Sequence, residues 1–240
     1  MQIDEFSYKM KENMAKINIQ ISDKQIDEFF KYMNLLIEWN EKINLTSIIE
    51  PDEIIIKHFV DCGTILKYLN NNENVIDIGT GAGFPGIPIK ILNESLNITL
   101  IDSLNKRINF LKEVSNLLKL ENIKIIHGRA EDLAQQVEFR QKYDKSVSRA
   151  VANLSTLSEY DLPFVKIGGK MIAMKGFEID EELENAKKAI NVLGGKVEKV
   201  EKFNLIDTDN KRSIIIINKV KPTPKQFPRK AGKPSKEPIK

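Results

Sequence analysis

Apolar positions recur at two different periods along this chain. Ile26, Phe29, Phe30, Met33, Leu36 and Ile37 follow at three- and four-residue steps before Trp39, which places them on one helix face. Ser22 and Gln25 stand where a capping box would open that helix. Residues 1–50 therefore read as helical, closed by the polar run Asn40 to Ser47, and Pro51 starts a further helix over Asp52 to Leu69. From Asn74 onward the pattern changes to short β-branched runs alternating with helical stretches. Val75–Ile78, Ile98–Ile101, Ile123–Ile126, Asp144–Val147 and Lys170–Met174 read as strands, with helices over Gly86–Leu92, Ser103–Leu120, Leu157–Val165 and Glu181–Leu193. Lys196–Asn204 and Arg212–Val220 read as two more strands. Only a short connection containing Asp207, Asp209 and Asn210 joins them, so they should pair antiparallel. The expected architecture is α/β: a mostly parallel, Rossmann-like sheet of seven strands with one reversed, helices on both faces and an N-terminal helical extension. The expected organisation is helices over 1–70, a catalytic domain over 71–220 and a tail over 221–240.

The stretch from Asn74 to Ile91, NVIDIGTGAGFPGIPIKI, reads as strand, tight turn and helix. Gly79, Gly81, Gly83 and Gly86 allow positive φ and close approach of a ligand to the backbone, and the helix that follows presents unpaired N–H groups. Gly81-x-Gly83-x-x-Gly86 also satisfies the dinucleotide fingerprint. Asp77, however, would bring a carboxylate into the site, where it repels a pyrophosphate and attracts an ammonium or sulfonium. That favours S-adenosylmethionine over NAD. Asp102 lies about 20 residues beyond the glycine turn, at the end of the second strand, where a carboxylate can accept from ribose hydroxyls. The turn His127 to Asp132 after the third strand suits the adenine side, and Arg149 leaves the fourth strand into the crevice. An antiparallel hairpin at the end is a second point in favour of methyl transfer over hydride transfer.

Charge alters the picture at one end. From Lys211 to Lys240 there are ten basic residues and one acidic, leaving 27 basic against 33 acidic elsewhere in a chain of net charge +3. Such an end suits a polyanion. The last 20 residues, KPTPKQFPRKAGKPSKEPIK, hold five prolines, and are expected to be extended, able to order against phosphates, and dispensable for cofactor binding. Phe227 could stack on a base or anchor the tail. A single cysteine, Cys62, excludes an internal disulfide and a cysteine-based zinc cluster. His58 and Asp61 share a helix face, but no third ligand accompanies them, and no metal is expected. The absence of a signal-peptide order or a long apolar run points to the cytoplasm and away from membranes. Two competing readings are an NAD-dependent oxidoreductase, with His58 or His127 as acid or base, and a non-enzymatic RNA-binding module with a basic tail.

Several motifs in order carry a resemblance: GTGAGFPGIP, GRAED, Ser148-Arg149-Ala150, Lys175-Gly176 and TPKQFPRKAGKPSKEPI. From about Asn40 to the last residue the chain resembles the bacterial 16S ribosomal RNA guanine-N7 methyltransferase family, also called glucose-inhibited division protein B. The resemblance implies the class I methyltransferase fold, S-adenosylmethionine as cofactor, and a guanine in the 530 loop of 16S rRNA or of the small ribosomal subunit as substrate. By the family's motifs Gly79 and Phe84 would line the cofactor, Asp102 would hold its ribose, and Ala130 and Glu131 would meet the adenine side. Arg149 would sit in the crevice near cofactor and substrate, in a positioning role. Asp77 and Gly81 complete the expected cofactor set, and Lys175, Arg229 and Lys230 are the expected RNA contacts. A monomer is expected. One departure is Asp61-Cys62-Gly63, where the family commonly has Asp-Ser-Leu.

Overall fold

The computed structural model describes residues 1–206 and 208–240. Its strands are β1 (Asn74–Ile78), β2 (Asn97–Asp102), β3 (Ile123–His127), β4 (Tyr143–Arg149), β5 (Val165–Gly176), β6 (Gly195–Asn204) and β7 (Lys211–Lys219). They form one sheet in the order β3-β2-β1-β4-β5-β7-β6. β7 is the single reversed strand, antiparallel to both β5 and β6. The expected strand count and reversal are both present. Asp207, which the sequence places in the β6–β7 connection, lies outside the described residues. The strand order reverses between β1 and β4, so a crevice opens beyond their C-terminal ends.

The helices are α1 (Ile3–Lys16), α2 (Asp23–Asn40), α3 (Pro51–Ile54), α4 (Asp61–Gly63), α5 (Gly86–Leu92), α6 (Asn105–Leu118), α7 (Ala130–Leu133), α8 (Leu154–Asp161), α9 (Asp180–Val192) and α10 (Lys233–Lys236). α2 opens on the expected capping box of Ser22 and Gln25. The expected single helix over Asp52–Leu69 is instead composite. α3 runs into a π-helical turn, Ile55–Val60, then α4, and a 3-10 turn follows at Leu66–Tyr68. Helix α8 begins at Leu154, before the expected Leu157, because the Asn153 side chain accepts a hydrogen bond from the Thr156 N–H at 3.1 Å and caps it. β5 begins at Val165, which pairs with Tyr143, but the next paired position is Lys170 with Lys145, so Gly168 and Gly169, read from sequence as a turn, lie in a bulge ahead of the regular ladder; Gly168 takes φ +84°.

Burial joins the N-terminal helices to the sheet. Phe6, Met10 and Met14 of α1 and Phe29, Tyr32 and Leu36 of α2 are in one apolar cluster with Val75, Leu100, Ile172 and Ile216 from the strands. On the opposite face Leu154, Leu157, Ala186 and Ile190 pack with Met171, Ile215 and Phe227. The C-terminal segment is therefore docked and partly helical, contrary to the extended arm expected from its composition, and Phe227 is an anchor in the core. Lys219 is nearly inaccessible, and its ammonium donates to Leu162 O at 2.9 Å, Leu193 O at 2.7 Å and Thr223 Oγ1. Leu162 and Leu193 are the C-caps of α8 and α9. Burial pushes the Lys219 pKa down to about 7, and its hydrogen bonds to two helix-end carbonyls and Thr223 fix the start of the C-terminal segment.

Tyr32 ties α2 to the glycine loop through its hydroxyl, which donates to Ala82 O in a buried hydrogen bond. Tyr32→Phe leaves that carbonyl unsatisfied at a cost of about 1–3 kcal/mol. Thermal unfolding should show Tm lowered by roughly 2–12 °C; an unchanged Tm would mean that the bond contributes nothing.

Candidate active site

The glycine loop sits between β1 and α5. Gly79 and Gly81 take φ +66° and +62°, and a Cβ on Gly79 would press on Val151 at 3.0 Å. A Cβ on Gly81 would meet nothing nearer than Gly79 O at 4.0 Å, so the backbone there borders open space. Asp77 does not point into that space as expected. Its carboxylate is fully buried beneath the loop, where Oδ2 accepts from Thr80 Oγ1 at 2.6 Å and the Gly86 N–H at 2.8 Å. Burial raises its pKa to about 7 despite those two donors. Asp77 thus organises the loop and the start of α5, and its Oδ1 has no hydrogen-bond partner among the described residues.

Asp102 ends β2. Its Oδ1 accepts from the Leu104 N–H at 2.9 Å, and its Oδ2 from the Gly81 N–H at 3.0 Å and from Arg107 at 3.2 Å. Three of about four acceptor positions are used, so the carboxylate retains capacity for one more donor at the crevice. Ala130 and Glu131 start α7, beyond β3; Ala130 is half-buried and Glu131 buried. The open backbone at Gly81, the acceptor at Asp102 and the carboxylate at Glu131 fit an adenosine-bearing cofactor.

Arg149 ends β4 and crosses to the composite helix. One terminal nitrogen donates to Lys57 O at 2.9 Å and Asp61 Oδ2 at 3.0 Å, and the other meets His58 Nδ1 at 2.9 Å. The guanidinium carbon lies 4.9 Å from the Phe84 ring centre, and His58 stacks on the same ring at 4.3 Å. The Phe84 ring is accordingly covered by Arg149 and His58. His58 Nδ1 also lies 3.1 Å from Lys57 O; because arginine only donates, the contact with Arg149 assigns the lone pair to Nδ1 and the proton to Nε2, which faces Thr46 Oγ1 at 2.9 Å. Burial first, and Arg149 second, push the His58 pKa down to about 3. The imidazole is neutral and both its nitrogens are engaged. Asp61 also receives Arg212, at 3.4 Å. These groups border a cavity of about 320 Å³ that also reaches Ala150, Met174 and Lys175.

The sequence set His58 and Asp61 aside as a metal pair; the structure makes them the partners of Arg149. Tyr32, Thr80 and Arg212 carried no sequence signal of comparable strength. Among the expected RNA contacts, Lys175 is largely buried, donating to Ala152 O at 2.8 Å and pairing with Glu182 at 2.6 Å. Arg229 is paired with buried Glu159 at 2.6 Å. Lys230 is exposed. Neither Lys175 nor Arg229 is the free surface cation that composition suggested.

A seven-stranded sheet with reversed β7, a glycine loop after β1 and an acid ending β2 define a class I methyltransferase. Solved structures agree on the fold. TYW2 of M. jannaschii, in complex with AdoMet, gives a TM-score of 0.52 at 18% identity, covering 65% of this chain and 72% of that chain. Ribosomal protein L11 methylase of Lactobacillus delbrueckii subsp. bulgaricus gives 0.53 at 14%, covering 69% and 79%. The profile of the family "rRNA small subunit methyltransferase G" matches residues 25–215. "Ribosomal RNA small subunit methyltransferase G" of Clostridium botulinum (strain Loch Maree / Type A3) is 54% identical over 238 residues, 98% of this chain and all of that protein. Its counterpart in Desulforamulus reducens is 52% identical over 239 residues, 99% of this chain and all of that protein. The chain belongs to the rRNA small subunit methyltransferase G family.

A histidine whose folded pKa is depressed binds its proton more readily when unfolded. His58 therefore contributes stability that is complete above about pH 6.5 and is lost as pH falls toward about 3. The slope attributable to this group approaches 1.4 kcal/mol per pH unit, roughly. Urea unfolding of wild type and His58→Gln between those limits should give a shallower acid-side slope in the variant; identical slopes would contradict the assignment of a neutral, buried imidazole.

Proposed function

We propose that this methyltransferase uses S-adenosylmethionine to methylate N7 of a guanine in the 530 loop of 16S rRNA. The observation that supports this chemistry best is the state of His58, neutral and held on both nitrogens by Thr46 and Arg149. Hydride transfer would need an acid or base at the crevice, and this imidazole is committed elsewhere. Guanine N7 is a lone pair with no proton to remove, so the transfer needs in-line approach and exclusion of water. S-adenosylmethionine would supply an electrophilic methyl on a sulfonium.

The chain's own groups then have positioning roles. Gly79 and Gly81 give backbone access to the cofactor, Asp77 holds their loop from beneath, and Asp102 accepts from the ribose. Ala130 and Glu131 border the adenine. Arg149 and Phe84 form a stacked floor between the glycine loop and the cavity, where a guanidinium held by Asp61 does not compete with N7 as a bidentate guanine contact would. Lys230 is an RNA phosphate contact, whereas Lys175 and Arg229 act through Glu182 and Glu159 to shape the surface that RNA meets. The three segments 1–70, 71–220 and 221–240 act as one unit, a cytoplasmic monomer whose partner is 16S rRNA or the small subunit.

Labelled-methyl S-adenosylmethionine, with small subunits or rRNA from cells lacking the enzyme, should yield a single N7-methylguanosine in the 530 loop, identified by mass. Transfer to another base or another RNA would contradict the acceptor. Asp102→Ala should weaken adenosylhomocysteine binding by more than about tenfold, the loss of a charged hydrogen bond of about 1.5–3 kcal/mol; wild-type affinity in that variant would remove Asp102 from the ribose site.

A further inference from the structure

The carboxylate of Glu159, on α8, is fully buried and would be untenable alone. Arg229 answers it with four hydrogen bonds: its Nε at 2.9 and 3.1 Å to the two oxygens, its NH2 at 2.6 Å, and its backbone N–H at 2.7 Å. Three residues later the Gly232 N–H donates to Glu131 Oε1 at 2.8 Å. Gly232 takes φ +80°, which aims its N–H there and which a side chain would oppose. Other anchors surround this pair. Gln135 donates to Pro228 O at 2.7 Å, Arg140 to Phe227 O at 2.8 Å, and Thr156 to Pro234 O at 3.0 Å. Together they hold residues 223–239 as a strap from α7 across α8.

Among the described residues no protein donor is hydrogen-bonded to the second oxygen of Glu131. Holding one oxygen fixes the rotamer of a long side chain and leaves the other for a ligand, so that binding need not order it.

We propose that the C-terminal strap is a positioning element of the cofactor site, with Arg229 docking it and the Gly232 N–H holding Glu131. This rests on the reading of Glu131 as an adenine-side residue. It reverses the expectation that the tail is dispensable for cofactor binding. A strap that served stability alone would change Tm and leave cofactor affinity where it was.

The test measures adenosylhomocysteine dissociation constants by calorimetry on the full chain for wild type, Glu131→Gln, Arg229→Gln and the double variant, with Tm followed in parallel. Each single variant should bind about three- to tenfold more weakly. The double variant should bind no more weakly than Glu131→Gln alone, because the strap acts through that residue. Wild-type affinity in Arg229→Gln, with Glu131→Gln weakened, would overturn the inference; so would fully multiplicative losses. Wild-type affinity in Glu131→Gln would instead remove Glu131 from the cofactor site. If Arg229→Gln does not fold, Glu159→Gln with Arg229→Gln removes the buried charge together with its partner. That pair should show the same weakening, and wild-type affinity there would overturn the inference equally.

Discussion

The structure depends most on how the charge of Arg149 is held. A guanidinium at the end of a buried central strand loses its hydration, and the loss is tolerable only where hydrogen bonds and an opposite charge replace it. Lys57 O, Asp61 and His58 supply those partners, and Phe84 supplies a π face. All three hydrogen-bonding partners come from the composite helix of residues 51–63. Its π-helical turn, Ile55–Val60, contains both Lys57 and His58; such turns are frequent at functional sites. The N-terminal helices are thereby fixed to the sheet at the place where the crevice opens.

The same logic recurs through the chain. Buried Glu159 is answered by Arg229, and Lys219 is answered by two helix C-termini and Thr223. Asp102 is answered by the glycine loop and Arg107. In each case the partners lie on different elements, so polar pairing connects helices, sheet and C-terminal segment around one crevice. The glycine loop itself is held from three directions: Asp77 below, Asp102 beside it, and Tyr32 from α2.

What the sequence revealed was local. Apolar periodicity marked the strands, the glycine spacing marked the loop, and Asp102 fell where the second strand had to end. Features that depend on partners distant in sequence were hidden. His58 and Asp61 share a helix face in the sequence pattern, but their common partner Arg149 lies 91 and 88 residues away, beyond the reach of local spacing. Proline and lysine content made the tail look free, because composition does not reveal a buried Glu159 or a row of backbone carbonyls facing Arg140. Asp77 falls at the strand end that the pattern predicts, and the Thr80 hydroxyl and the Gly86 N–H draw its carboxylate inward, which no local spacing reveals.

Asp61 and Arg149 act as one buried unit joining the composite helix to the sheet. A double-mutant cycle of Asp61→Asn and Arg149→Gln, read by denaturant unfolding, measures their coupling directly. Each single change should destabilise by about 3–5 kcal/mol because it strands the other group, and the double variant should fall short of the sum by about 1–3 kcal/mol. Strict additivity would mean that the two residues do not depend on each other, and the clamp would not be what unites the fold with its site.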